Sequence, residues 1–314
     1  MKEILKARWD LFHFALGGTT AHSLDLVWCA LHCYTDAMNK AREVLFESFG
    51  AQEWILEKPK DGMQKECYIA RSADRAVFIK FSVSPLPLLR LGEIAVAPKV
   101  LSTGLYKDEP FVIQELIAGS YPERSWIESH LKTVAKLITT YHQDKVLTEL
   151  LSRSQTRDYR KHIDDDLKEI EEQLIAIDAP SELRNLFAQF KEKAAAFENV
   201  PLVPVHNEPN TKNMLLSGDA LRFIDWDEIV LSDPLRDAGP FLWWYVPDAS
   251  WREFLRLCNI ELTEQTAAKI YWFAARASLV VYLWRTQHGY GAGGFFDDFV
   301  AALAMQPNPR FEHA

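Results

Sequence analysis

Cysteine is scarce in this chain: Cys29, Cys33, Cys67 and Cys258 are the only four in 314 residues. So thin a supply excludes a disulfide framework and points to reduced thiols in a cytoplasmic setting. Cys29 and Cys33 lie near His22 and His32, but the surrounding "LVWCALHCY" has the texture of an apolar helix face, which reads as packing rather than as a metal site. Positive charge is also short. Against 44 Asp and Glu there are 35 Lys and Arg, giving a formal net charge of −9, and the basic residues are dispersed. No basic stripe is available to neutralise phosphates, so a nucleic-acid partner is excluded, while a cationic small molecule stays compatible. Long apolar runs are missing as well. The longest near the C-terminus, "ASLVVYLW" at 277–284, falls far short of the ~20 residues a membrane span requires. Lys6, Arg8 and Asp10 interrupt the first residues, so neither a secretory signal nor a membrane anchor is expected, and the reading is a soluble cytoplasmic protein.

What is present is ample apolar material, 48% hydrophobic residues, enough for one large or two ordinary domains. Residues 22–49 space Leu, Trp, Val, Met and Phe at helical intervals before Gly50, which predicts an N-terminal helical extension, assigned to residues 1–45. From residue 54 the texture changes. "WILEK", "ECYIAR" and "AVFIKF", separated by "PKDG" and "SADR", predict three antiparallel strands. A short helical piece, "PLLRLGE", then leads to a strand pair in "APKVLSTG" and "EPFVIQELIAG", so residues 46–118 form a small sheet domain. Beyond Gly119 the apolar period becomes helical over 125–143, 159–177 and 181–197, and again around 239–257, 263–287 and 294–304; residues 119–314 are a helical domain. The acidic "IDDDLKEIEEQL" reads as a solvated helix face. Inside this domain "NMLL" and "LRFIDW" flank "SGDA", which predicts a β-hairpin in helical surroundings. The fold class is α+β.

The hairpin carries the chemistry. In "PLVPVHNEPNTKNMLLSGDALRFIDWDE" (201–228), His206, Glu208 and Asn213 enter one arm and Asp225 leaves the other, so the hairpin brings Asn213 and Asp225 together. An amide carbonyl and a carboxylate are hard oxygen ligands suited to Mg²⁺, which is typically shared with substrate phosphates. Asp227 is an alternative ligand, and Glu208 is placed to orient a hydroxyl.

The spacing of His206, Glu208 and Asn213 matches the kinase catalytic-loop pattern, followed by a strand pair and a metal-binding Asp. "VHNEPNTKNMLL" followed by "FIDWDEIVLSDPLRDAG" resembles the aminoglycoside phosphotransferase and choline kinase-like family of small-molecule kinases. Upstream, "AVFIKF", "APKVL" and "FVIQELIAG" resemble that family's phosphate-binding Lys strand, the entry to its next strand and its hinge, so the likeness covers about residues 52–245. The resemblance implies a two-lobed protein-kinase-like fold with ATP in its cleft. Lys80 would neutralise the α- and β-phosphates, Asn213 and Asp225 would hold Mg²⁺, and hinge backbone at Glu115 and Ile117 would meet adenine. Glu208 would act on the acceptor hydroxyl and His206 would brace the loop. Asp233 and Asp237 are read as fixing loop and helix ends, with Asp237 bonding back toward the loop. Without the resemblance, Lys80 would read as a solvated edge-strand residue.

Three departures stand out: Glu208 where the family has Asp, only Gly62 in the phosphate-covering stretch "PKDGMQKE", and only Glu93 between Lys80 and Pro98 to pair with Lys80. Glu43 or Glu47 of the N-terminal helix is an alternative partner for Lys80. The implied activity is transfer of the γ-phosphate to a hydroxyl of a small molecule. The aromatic clusters at 241–251 and 282–296 suit a cationic or ring-bearing acceptor, or are simply core. A kinase fold that binds nucleotide or a partner without transferring phosphate is the alternative. The oligomeric state is left undefined.

Overall fold

The structure, a computed structural model, describes residues 38–59 and 66–308. His22, Cys29, His32, Cys33, Gly62 and most of the expected N-terminal extension lie outside the described residues. The chain divides into two compact units. Among the described residues, one takes those up to Ser82 together with Ser102–Ile113, and the other takes Val83–Leu101 and those from Gln114 onward.

In the first unit, helix α1 (38–49) is followed by β1 (Ile55–Glu57), β2 (Cys67–Arg71) and β3 (Ala76–Phe81). With β4 (Val100–Tyr106) and β5 (Glu109–Glu115) they form a five-stranded sheet in the order β1-β2-β3-β5-β4. The three expected strands pair antiparallel, with Leu56 opposite Ala70 and Cys67 opposite Lys80. Period-2 alternation puts Val77, Ile79 and Phe81 of β3 into the core, where each is fully buried. Helix α1 offers Ala41, Val44 and Leu45, spaced i, i+3, i+4, to the same cluster, so its described part belongs to the core of the sheet. Lys40 fastens it further. Its ammonium pairs with Glu66 at 2.8 Å and with Glu109, and lies 3.8 Å from the centre of the Phe81 ring.

The second unit opens with α2 (Pro85–Glu93), which starts on prolines, where the missing N–H costs nothing. Arg90 in its last turn forks onto Asp144 at 2.6 Å. The single helix expected over 125–143 is two helices, α3 (Arg124–Ser129) and α4 (Leu131–His142). The break falls at His130, where the Ser129 hydroxyl turns back on the carbonyls of Ser125 and Trp126 and competes with the helical ladder. A helix absent from the expectations, α5 (Lys145–Leu151), follows at once, capped by Asp144, which accepts from Leu147 N at 2.7 Å. Then come α6 (Tyr159–Ala176) and α7 (Ser181–Ala195). The stretch around 239–257 is likewise divided, into α8 (Leu235–Tyr245) and α9 (Asp248–Leu257), because Pro247 forces Val246 into an extended conformation. Helix α10 (Glu264–Gln287) is buried along much of its length, with Trp272 stacked on Phe190 at 4.4 Å, and α11 (Phe295–Leu303) closes the described chain. No helix among the described residues is long and apolar enough to cross a membrane.

Two short antiparallel pairs position the loop of interest. Strand β6 (Val203–Val205) pairs with β9 (Val230–Ser232), and the expected hairpin is β7 (Met214–Ser217) with β8 (Ala220–Phe223), turning through Gly218 at φ +59°.

Candidate active site

Strand β6 delivers His206 into a fully buried position, packed on Trp226 and Phe223. Its Nε2 donates to the Ile224 carbonyl at 2.8 Å, and its Nδ1 accepts from Glu208 N at 3.3 Å. Burial holds the imidazole below its ordinary pKa despite the opposing pull of Asp237, so a neutral ring braces the loop. The chain then turns through Asn207 at φ +74°, a conformation that needs outside support in a residue with a Cβ. Asn207 N donates to Asp237 Oδ1 at 2.9 Å, and Asn207 Oδ1 accepts from Arg236 Nε at 2.6 Å.

Glu208 comes next, open to solvent. Its carbonyl accepts from Asn210 N at 2.8 Å and Asn213 Nδ2 at 3.1 Å, which folds the loop over itself. Asn210 caps the 3₁₀ turn Thr211–Asn213, accepting from Lys212 N at 3.0 Å and Asn213 N at 3.2 Å. Asn213 is only 9% exposed, and because its amide nitrogen faces Glu208, its carbonyl oxygen is the end it can offer a cation. Across the hairpin, Ile224 N donates to the Asn213 carbonyl at 2.8 Å, one step past the Met214–Phe223 pair. Asp225 follows at φ +60°, exposed to solvent.

Electrostatics tie these groups together. Protein crowding around the Glu208 carboxyl raises its pKa although the residue keeps an open face, and repulsion from Asp225, Glu228 and Asp227 raises it further against the Asn213 amide. Such a concentration of negative charge is relieved by a cation. Among the described residues no group of three His, Cys, Asp or Glu could hold a metal ion. One carboxylate and one amide carbonyl instead fit a hard cation that completes its shell with water and phosphate oxygens.

Behind the loop stands a buried polar network. Asp237, fully buried in the first turn of α8, accepts from Tyr141 Oη, His142 Nε2 and the N–H groups of His206 and Asn207, all between 2.7 and 3.0 Å. Burial alone would raise its carboxyl, but the donors led by His142 hold it below the usual range. Arg236 reaches Asp166 at 3.2 Å and lies 3.1 Å from His162 Nε2, while Arg276 also grips Asp166. Asp233 accepts from Lys269 at 2.8 Å, Tyr159 at 3.2 Å and Leu235 N at 2.9 Å.

Lys80 sits on β3, a central strand, and is 9% exposed, unlike a solvated edge residue. Glu93 turns to Arg90 at 3.0 Å, and Glu43 and Glu47 lie on the exposed side of α1. Glu115, at the end of β5, donates its N–H to the Lys99 carbonyl at 2.9 Å, and its carboxylate accepts from Lys99 N at 2.9 Å. Two residues on lies Ile117, and just beyond it Ser120 bridges to Leu216 of β7. Glu208, Asn213, Asp225, Glu115 and Ile117 thus belong to one unit and Lys80 to the other. The supporting residues Asn207, Arg236, Asp166, Tyr141 and His142 carry no signal in the loop pattern itself; the Arg–Asp step in "DPLRD" is the nearest hint.

A family model described as the phosphotransferase enzyme family (APH) matches residues 69–263, well over half of the chain. The chain belongs to this family. The matched span contains every residue of the loop and hairpin. Among solved structures, the chain is similar to a choline/ethanolamine kinase family protein from Mesorhizobium loti, at 16% identity and TM-score 0.61 over 88% of this chain and 97% of that one. Similarity to choline kinase LicA from Streptococcus pneumoniae is 15% identity and TM-score 0.62, over 85% and 98%. For spectinomycin phosphotransferase in complex with ADP and spectinomycin the values are 14% and 0.59, over 85% and 96%. The fold is therefore the anticipated α+β, two-lobed protein-kinase-like fold.

Proposed function

We propose that this phosphotransferase family member transfers the γ-phosphate of ATP, with Mg²⁺, to a hydroxyl group of a small molecule. The observation that carries the reading is the convergence of Glu208, Asn213 and Asp225 at one end of the β7–β8 hairpin, inside a concentration of acidic groups. Asn213 and Asp225 would hold the metal. When bound, Mg²⁺ neutralises charge on the β- and γ-phosphates. Glu208 orients the acceptor hydroxyl and takes its proton as the oxygen bonds to the γ-phosphorus and the bond to the bridging oxygen breaks, releasing ADP. Lys80 is assigned to the nucleotide phosphates. At Glu115 the N–H is committed to Lys99, so the carbonyl is the group assigned to the adenine amino group, with the Ile117 N–H as its companion.

A positively charged acceptor suits the net charge of −9 and the acids around Glu208. The test is an acceptor screen with Mg²⁺-ATP over aminoglycosides, choline, amino sugars and nucleosides, following γ-phosphate transfer. Transfer to any member supports the reading. Stabilisation by Mg²⁺-ATP without transfer to any member favours the second reading, a nucleotide-binding protein without phosphoryl transfer, which the Glu at position 208 supports. Absence of any stabilisation opposes both.

A further inference from the structure

We infer that Asn207 and Arg236 act as a positioning pair for Glu208, an inference that rests on the assignment of Glu208 as the base. Glu208 is anchored through its backbone but carries its carboxylate on a side chain open to solvent. What aims it is the residue before it. Asn207 is held at φ +74° by two separate grips, its N–H on Asp237 and its side-chain oxygen on Arg236 at 2.6 Å. The first grip needs only a backbone and would hold any residue. The second depends on side-chain chemistry at both ends.

Arg236 is not free to follow a moving loop. Its guanidinium is bonded to Asp166 at 3.2 Å and lies 3.1 Å from His162 Nε2, and Asp166 is itself clamped by Arg276 from α10. His162 is in turn fixed by Ser232 at 2.7 Å. The side chain of Asn207 is therefore tethered to a framework of α6, α8, α10 and β9, all in the same unit. A glutamate reaches one methylene further than an aspartate, and a displacement of about 1 Å at a reacting group can cost ~10²-fold in rate. Fixing φ and ψ of the preceding residue sets where that longer arm begins. In this role Arg236 touches neither substrate nor nucleotide; it works through Asn207.

The test is Asn207→Ala, which removes the tether and leaves Asn207 N–H, Asp237 and the Arg236–Asp166–Arg276 cluster in place. Turnover with the acceptor found in the screen is expected to fall about 10- to 100-fold, with the Mg²⁺-ATP dissociation constant and acceptor KM within about twofold of the unaltered protein. Asn207→Asp, which keeps an oxygen for Arg236, is expected to restore most of the turnover. Arg236→Lys, which keeps the charge but loses the Nε–H, should lower turnover similarly, and the double variant Asn207→Ala/Arg236→Lys should be no worse than the poorer single variant. Unchanged turnover in Asn207→Ala, or additive losses in the double variant, would overturn the pairing. Amide exchange separates this from the function itself: the Glu208 N–H should exchange at least about tenfold faster in Asn207→Ala while the His206 N–H, bonded to Asp237, is unaltered. Equal exchange at Glu208 overturns the inference whether or not the protein transfers phosphate. An unaltered protein that transfers none, with faster Glu208 exchange in the variant, sinks the assigned reaction and upholds the tether.

Discussion

Tyr141 donates its phenolic hydrogen to Asp237 across 2.7 Å, and solvent reaches neither residue. The bond joins α4 to α8 and places a fully desolvated carboxylate directly behind the loop that carries Glu208. Asp237→Asn leaves donors facing an amide that cannot accept from all of them, so we expect a loss on the order of 3 kcal/mol in unfolding free energy. Tyr141→Phe removes one donor of several and should cost about 1 kcal/mol. Urea titrations of the two variants at neutral pH check the order; equal losses would mean that the hydroxyl, rather than the carboxylate, organises this site.

Glu208→Gln keeps the shape and one acceptor oxygen but cannot take a proton. Phosphoryl transfer should fall at least ~10²-fold while Mg²⁺-ATP binding is retained. Glu208→Asp restores a carboxylate on a shorter arm and should retain measurable turnover. Single-turnover assays beside calorimetric binding give both readouts, and undiminished transfer by the Gln variant would remove Glu208 from the chemistry.

Asp225→Asn and Asn213→Ala each delete one proposed metal ligand. In the unaltered protein, ATP at about a hundred times its dissociation constant should add about 2.7 kcal/mol of stability when Mg²⁺ is present. Either variant should lose the part of that gain which depends on Mg²⁺. Melting curves with ATP plus Mg²⁺ against ATP plus chelator measure it, and a metal-dependent gain intact in Asp225→Asn would shift the ligand role to Asp227.

His162 sets a pH dependence for folding. Burial first, then the nearby Arg236 and Arg276, push its pKa down to about 4 from 6.5, with Asp166 pulling the other way. The imidazole is neutral in the folded protein and takes up a proton more readily once unfolded. Its contribution is therefore complete above pH ~6.5 and is lost as pH falls from there toward ~4, on the order of 3 kcal/mol in all. Stability measured in steps from pH 7 to pH 4 should fall with a shallower slope in His162→Gln, by up to one proton; superimposable slopes would exclude His162 as the titrating group.

Lys40 brings together Glu66, Glu109 and the face of Phe81. Lys40→Met keeps the alkyl stem but leaves two carboxylates without their cation. Both acids are partly exposed, so the expected loss is modest, about 1–2 kcal/mol, and should be recovered in part in Lys40→Met/Glu109→Gln.

The loop and hairpin were legible in the sequence because their residues are near neighbours along the chain: His206, Glu208 and Asn213 lie within eight residues, and Asp225 returns by way of a two-stranded hairpin. The supporting framework was not. Arg236 finds Asp166 from 70 positions away, and Arg276 finds it from 110. No local period records such meetings. The helices were legible as apolar stripes, but their breaks at His130 and Val246 depend on a serine side chain and on a following proline, which periodicity alone passes over. The short helix α5 was hidden because its start is marked by a single capping aspartate.

Ser120 and Leu216 exchange both backbone bonds, Ser120 N to Leu216 O at 3.0 Å and Leu216 N to Ser120 O at 2.8 Å. They approach so closely that a Cβ on Gly119 would stand 2.7 Å from the Leu216 oxygen. The stretch leaving β5 is thus stitched to the outer side of the hairpin as a third, two-residue rung, and position 119 is closed to every side chain. An adenine held at the proposed Glu115–Ile117 seat would in consequence feel any movement of the arms flanked by the proposed ligands Asn213 and Asp225 as a shift of its own footing.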